Sequence, residues 1–82
     1  MHYVYILKMS NGKLYTGRSD DLKRRIIEHN SGKVKSTKNN RPLKLIYYEA
    51  FIAKEDSIRR EMYLKTSTGK RMLKLLLKKS NN

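Results

Sequence analysis

Arg25 and His29 lie four apart in DLKRRIIEHN, at the border of the apolar stripe that Leu22 and Ile26 draw along a helix, whereas Arg24 points away from it. An Arg and a His at the edge of a buried face have two uses. One is structural: a salt bridge for Arg25 and a hydrogen-bonded rim position for His29. The other is a chemical site. In KEDSIRREMYLKT, Glu61 falls between Ile58 and Leu64 in angle, with Met62 further round and Arg59, Arg60 and Tyr63 on the other side. A carboxylate on an inward arc is costly unless it is paired. Its partner is either a cation, Arg25 or a nearby Lys, or a divalent metal. One carboxylate with waters and phosphate oxygens is a common Mg²⁺ arrangement. Tyr5, Tyr15 and Gly17 form a third group, and the turn between them decides their relation. A three-residue loop, Ser10-Asn11-Gly12 with Gly12 left-handed, pairs Tyr15 with Leu7 and puts all three on one face of a hairpin. A two-residue loop pairs Tyr15 with Lys8 and separates the two tyrosines. The three-residue loop is the expectation, since a shared face is what an active site requires. Cross-strand packing is the alternative use for both tyrosines.

Regular elements must hold these groups. HYVYILK is rich in Tyr, Val and Ile and predicts a strand; SNGK marks the hairpin turn, and KLYTG returns. SDD offers an N-cap and early acids for the helix DLKRRIIEHN, which NSG stops. KVKSTKNNRP is a basic polar loop. LKLIYYEAF predicts a third strand, with Leu43, Leu45 and Tyr47 on one face and Ile46 and Tyr48 on the other. KEDSIRREMYLKT is a second helix with acids near its start. Ser67 or Thr68 caps a third, GKRMLKLLLKK, with Met72, Leu73, Leu76 and Leu77 on one arc and Lys70, Arg71, Lys74 and Lys78 on the other. The order β-β-α-β-α-α predicts an α+β domain, a small sheet covered on its faces by helices. One domain spans residues 1–82, and SNN at the end trails off as a frayed tail.

Charge narrows the partners. Twenty Lys and Arg against seven Asp and Glu give +13, and residues 33–44 and 65–79 contain no acid. So strong a positive field on so small a body implies a polyanion, nucleic acid first and an anionic membrane surface second. The last helix has the amphipathic character of a membrane-surface segment. A closing core helix with a wet basic face is the preferred reading, because the sheet needs cover. No cysteine is present, which excludes disulfides and thiolate metal sites and fits a reducing, cytoplasmic setting. No apolar run approaches the roughly 20 residues of a membrane span, and MHYVYILKM lacks the layout of a signal peptide. A monomer is assumed.

With the elements in place, YVY at 3–5 and YTG at 15–17 resemble the two half-motifs of the GIY-YIG nuclease domain. The resemblance continues through DLKRRIIEHN, the basic loop, RPLKLIYYEAF and the RRE of the second helix, and is nearest to the small stand-alone members. It implies a three-stranded antiparallel sheet flanked by helices and a metal-dependent phosphodiesterase site. By position, Tyr5 and Tyr15 match the motif tyrosines, Gly17 the motif glycine, where bare backbone approaches the site, Arg25 the helix Arg, His29 the family His, and Glu61 the metal-binding Glu. YVY stands where the family has Gly-Ile-Tyr and keeps the terminal Tyr. No residue of TSTGKRM aligns with the Asn that some members carry after the Glu.

The chemistry implied is hydrolysis of a nucleic-acid phosphodiester, DNA before RNA, with low sequence specificity. Glu61 holds Mg²⁺ or Mn²⁺ on the scissile phosphate. Tyr5 is the general base, Arg25 stabilises charge on the phosphate, His29 accepts a proton from Tyr5 or orients it, and Tyr15 orients water or phosphate. Lys33, Lys35, Ser36, Thr37, Lys38 and Arg41 of the basic loop are the expected backbone contacts. The alternative is a binding module of the same fold without turnover.

Overall fold

A three-residue turn fixes the geometry of the hairpin. In the computed structural model, which describes residues 1–81, β1 (His2–Lys8) and β2 (Leu14–Ser19) are joined through Ser10, Asn11 and Gly12. Gly12 takes a φ of +84°, left-handed backbone that glycine adopts without steric cost. Its N–H donates to the Met9 carbonyl at 2.9 Å, the Met9 N–H donates to the Lys13 carbonyl at 2.9 Å, and Asn11 Oδ1 accepts from the Lys13 N–H at 2.9 Å. The resulting register pairs Leu7 with Tyr15 and Tyr5 with Gly17. Tyr5, Tyr15 and Gly17 therefore share a face, as the three-residue loop requires.

β3 (Lys44–Phe51) pairs antiparallel on the other side of β1, giving the sheet order β2-β1-β3. With α1 (Leu22–Asn30), α2 (Lys54–Leu64) and α3 (Ser67–Leu76), the order is β-β-α-β-α-α: an α+β fold around a three-stranded antiparallel sheet. Val4 to Leu7 of the central strand are all buried, and their alternation divides the core in two. Val4 and Ile6 pack with Leu64 of α2 and with Leu73 and Leu77 at α3. Tyr5 and Leu7 pack with Leu43 and with Leu22 and Ile26 of α1. Each fully buried Leu or Ile contributes about 1.5–3 kcal/mol, so a few such residues on each face hold the layers.

Several local expectations change. The alternation of β3 breaks at a bulge opposite Ile6 and Leu7. Leu45 stays with Leu7, but Tyr47 pairs with Ile6 and joins Ile46 on the α2 side, while Tyr48 pairs with Tyr5. The extra residue flips every side chain beyond it to the opposite face. The cap of α3 is Thr66, whose hydroxyl accepts from the Gly69 N–H at 3.1 Å, in place of Ser67 or Thr68. Gly69 lies inside the helix, where a Cβ would overlap the Tyr63 carbonyl oxygen, so its bareness lets α3 fold tightly onto the end of α2. Leu76 is half exposed and Met62 of α2 mostly so, because each helix meets the core along a narrower line than the periodicity implies. Ser80 and Asn81 form a turn in which the Asn81 carbonyl accepts from Lys8 Nζ at 2.6 Å; Asn82, the end of the expected tail, lies outside the described residues. No helix among the described residues is long and apolar enough to cross a membrane.

The connection from α1 to β3 is built, not loose. Asn30, the last residue of α1, accepts from the Leu43 N–H at 2.8 Å and donates from Nδ2 to the Leu43 carbonyl at 3.1 Å. Between these points Val34 and Thr37 turn inward and are buried.

Candidate active site

Tyr5 reaches the edge of the sheet because Gly17 has no side chain. A Cβ at position 17 would overlap the Tyr5 hydroxyl and ring carbons. The close approach expected at the bare Gly17 backbone is made by the Tyr5 ring, which crosses β2 toward α1. At its far end, Tyr5 Oη lies 2.9 Å from Nε2 of His29. Tyr15 packs edge-on against the same imidazole, with ring centroids 5.1 Å apart.

His29 is fully buried, not a rim residue. It sits in the last turn of α1, and the α1–β3 loop closes beneath it. Its Nδ1 lies 2.8 Å from Thr37 Oγ1. This overturns the expectation that Thr37 meets phosphate: the residue is fully buried and faces inward. Burial holds the His29 imidazole below its ordinary pKa, the Arg25 charge lowers it further, and Glu28 partly opposes them.

Arg25 donates from Nη1 to Glu28 Oε1 at 3.1 Å, so its ion pair is with its own helix and not with Glu61. It also bears on Tyr5. Burial pushes the Tyr5 hydroxyl above its ordinary pKa; Arg25 pulls it back, and Tyr15 and Glu61 push it up again. The field of Glu61 therefore reaches Tyr5 from the opposite layer. Glu61 is about one-fifth exposed and lies 3.8 Å from Arg18 Nε and 3.2 Å from Lys65 Nζ. Arg18 follows Gly17 on β2 and projects to the other face, so the two layers meet around the free edge of that strand.

A cleft of about 320 Å³ opens at this edge, lined by Arg18, Arg24, Arg25 and Lys54 against Asp20 and Glu28. Its cationic excess suits an anion. Arg18, Arg24 and Glu28 are residues that sequence reasoning missed, whereas Lys65, four after Glu61, is the nearby Lys expected as its partner. Arg24 is exposed, pointing away from the apolar stripe as expected, and bridges Asp20 at 3.2 Å and Glu28 at 3.7 Å. Among the described residues no three carboxylate or imidazole groups gather as a ready metal cage. Glu61 alone fits a hard ion that keeps waters and takes phosphate oxygens, which is how Mg²⁺ ordinarily binds.

The remaining loop residues divide. Lys33, Lys35, Ser36 and Lys38 are exposed. Arg41 is exposed but folds back, donating from Nε to the Lys38 carbonyl at 2.8 Å with its guanidinium across Gly32.

The GIY-YIG catalytic domain matches residues 1–74. The chain is 45% identical over 76 residues to the UPF0213 protein SSP2268 of Staphylococcus saprophyticus, covering 92% of this chain and 93% of that one. It is 44% identical over 71 residues to a UPF0213 protein of Bacillus pumilus, covering 85% and 72%. The solution structure of the UPF0213 protein BH0048 from Bacillus halodurans superposes with a TM-score of 0.59 at 41% identity, covering 92% of this chain and 83% of that one. Domains of this kind are generally nucleases that bind nucleic acid and use divalent metals. With the domain matched over most of the chain, this protein belongs to the GIY-YIG family.

Proposed function

We propose that the protein is a divalent-metal-dependent endonuclease that hydrolyses DNA phosphodiester bonds with low sequence specificity. The observation that carries this reading is the contact of Tyr5 Oη with His29 Nε2 at 2.9 Å, under the opposed influences of Arg25 and Glu61. A phenol with a raised pKa is a weak base by itself. A neutral imidazole at hydrogen-bond distance changes that. As a water oxygen bonds to phosphorus and the P–O bond to the leaving sugar oxygen breaks, the water proton passes to Tyr5 Oη, the phenol proton passes to His29 Nε2, and the leaving oxygen takes a proton from solvent, so no free phenolate need persist. Arg25, with its fork of donors, stabilises the charge that develops on the phosphate oxygens. Tyr15 orients water or phosphate. Glu61 would hold Mg²⁺ or Mn²⁺, which supplies charge neutralisation on the scissile phosphate. Lys33, Lys35, Ser36, Lys38 and Arg41 grip the backbone of a strand leading to the site.

A binding module without turnover is the second reading. It is favoured by the ion pairs of Glu61 with Arg18 and Lys65, which occupy the carboxylate. Plasmid nicking in Mg²⁺ or Mn²⁺, against an EDTA control, separates the two. In the nuclease, Glu61→Ala and Arg25→Ala lower cleavage at least about 100-fold and leave DNA affinity near wild type. Full activity in either variant removes its assigned role, and an inactive wild type in both metals leaves the binding module. The absence of cysteine fits a cytoplasmic setting, and the protein acts as a monomer in this reading.

A further inference from the structure

We propose that Thr37 is a positioning residue that fixes the tautomer of His29, holding the ring proton on Nδ1 so that Nε2 faces the Tyr5 hydroxyl bare. The value of this to cleavage rests on the nuclease reading above; the tautomer itself does not.

The argument is an accounting of donors and acceptors. Tyr5 Oη, His29 and Thr37 Oγ1 form one buried chain, with contacts of 2.9 Å and 2.8 Å. Each hydroxyl has one proton to give, and the neutral ring has one. Tyr5 is buried, and among the described residues its hydroxyl has one hydrogen-bond partner, His29 Nε2. The acceptor for the phenol proton is therefore Nε2. The ring proton must then be on Nδ1 and is donated to Thr37 Oγ1. The Thr37 hydroxyl in turn points at the Val34 carbonyl, 3.5 Å away. In the reverse polarity Thr37 would donate to Nδ1 and the Nε2–H would face Tyr5. The phenol proton would then have no acceptor, and the single Thr37 proton could not also serve the Val34 carbonyl. Buried polar groups seldom tolerate that arrangement.

The loop is organised to present this oxygen. Val34 is buried as an apolar anchor, and its carbonyl accepts from the Thr37 N–H at 3.1 Å and the Lys38 N–H at 3.0 Å. Thr37 is thereby carried under the ring and fully removed from solvent, although its neighbours Ser36 and Lys38 are exposed. A residue that served only to fill space would not need its hydroxyl within hydrogen-bond distance of the imidazole. The arrangement follows the general rule that the partner of one ring nitrogen sets the chemistry of the other.

The test reads the ring directly. Two-bond ¹H–¹⁵N correlation spectra of wild type, Thr37→Val and Thr37→Ser report which nitrogen of His29 carries the proton. Wild type and Thr37→Ser are expected to show the Nδ1–H form. Thr37→Val, which keeps the shape and loses the oxygen, is expected to shift the ring toward Nε2–H. Single-turnover cleavage should fall about 10-fold or more in Thr37→Val, with DNA affinity unchanged, and should recover in Thr37→Ser. A wild-type spectrum with Nε2–H overturns the inference, and needs no variant to fold. So does a folded Thr37→Val that keeps Nδ1–H. If wild type carries Nδ1–H, depends on Thr37 for it, and cleaves nothing, the inference holds and the nuclease reading fails. If wild type cleaves and its tautomer ignores position 37, the reverse is true.

Discussion

The face of the sheet toward α2 and α3 is closed by Val4, Ile6, Leu64, Leu73 and Leu77, whereas the face toward α1 buries His29 and Thr37 beside Tyr5, Leu7 and Leu43. On the first face the buried polar residue is Ser57, and its hydroxyl donates to the Lys54 carbonyl of its own helix. Ion pairs there lie at the margin: Arg60 grips Glu49 through Nε at 2.8 Å and Nη2 at 3.0 Å. On the second face the polar groups form a connected chain through the core. One strand, β1, separates the two by simple alternation. The difference teaches that this small domain sets an apolar seal and a buried polar chain on opposite sides of a single strand, with Glu61 alone of the proposed reactive groups on the α2 side.

That separation can be broken experimentally. The largest effect is expected from Tyr5→Phe, which removes one oxygen from the α1 face. Cleavage should fall by about 10²–10⁴-fold, while stability drops only by the roughly 1–3 kcal/mol of an unpaired His29 nitrogen. Nicking assays and urea melts measure both, and comparable activity in Tyr5→Phe would end the division of labour. Leu64→Ala tests the other face. It should cost about 2–5 kcal/mol in urea unfolding, with cleavage per folded molecule near wild type; a rate loss matching that of Tyr5→Phe would show the faces to be coupled.

The third prediction concerns acid. His29 has a lowered pKa in the fold, so between the folded and unfolded values the unfolded chain binds more protons. Its contribution to stability is complete above about pH 6.5 and is lost as pH falls through the folded value. The groups facing it are Tyr5 and Tyr15 from the hairpin and Arg25 and Glu28 from its own helix. Urea melts should show wild type losing more stability than His29→Gln between about pH 7.5 and pH 5. Equal losses would assign the acid sensitivity elsewhere. The smallest effect belongs to the surface. Lys35→Ala should reduce the slope of log affinity against log salt by about 0.7–0.9, the share of one neutralised phosphate. An unchanged slope in a fluorescence anisotropy titration would remove Lys35 from the nucleic-acid contact.

Much of this architecture is legible in the residues themselves. SNG dictates the turn, the turn dictates the register, and the register brings Tyr5, Tyr15 and Gly17 to one face. The helices follow from caps and periodicity. What sequence reasoning missed depends on contacts between distant segments. The bulge at Ile46 is set by pairing with β1, so strict alternation misplaced Tyr47. Thr37 stands in a basic, polar stretch, and nothing local says that Val34 will anchor it under a ring eight residues earlier. Arg18 meets Glu61 across the edge of the sheet, a pairing that no spacing encodes. Gly17 was identified as a place of close approach, but only packing reveals that the approaching group is the Tyr5 ring.

The amide of Asn30 has a mechanical consequence. By clasping both backbone groups of Leu43, thirteen positions away, it draws the neck of the α1–β3 excursion shut like a purse string. The segment inside behaves as a closed bight whose tip, at Lys35 and Ser36, is exposed. Side chains at that tip can be exchanged while the neck stays knotted and the backbone turn from Val34 to Thr37 is kept. The neck adjoins His29, so what the tip touches can be remodelled by substitution without unseating the imidazole at its root.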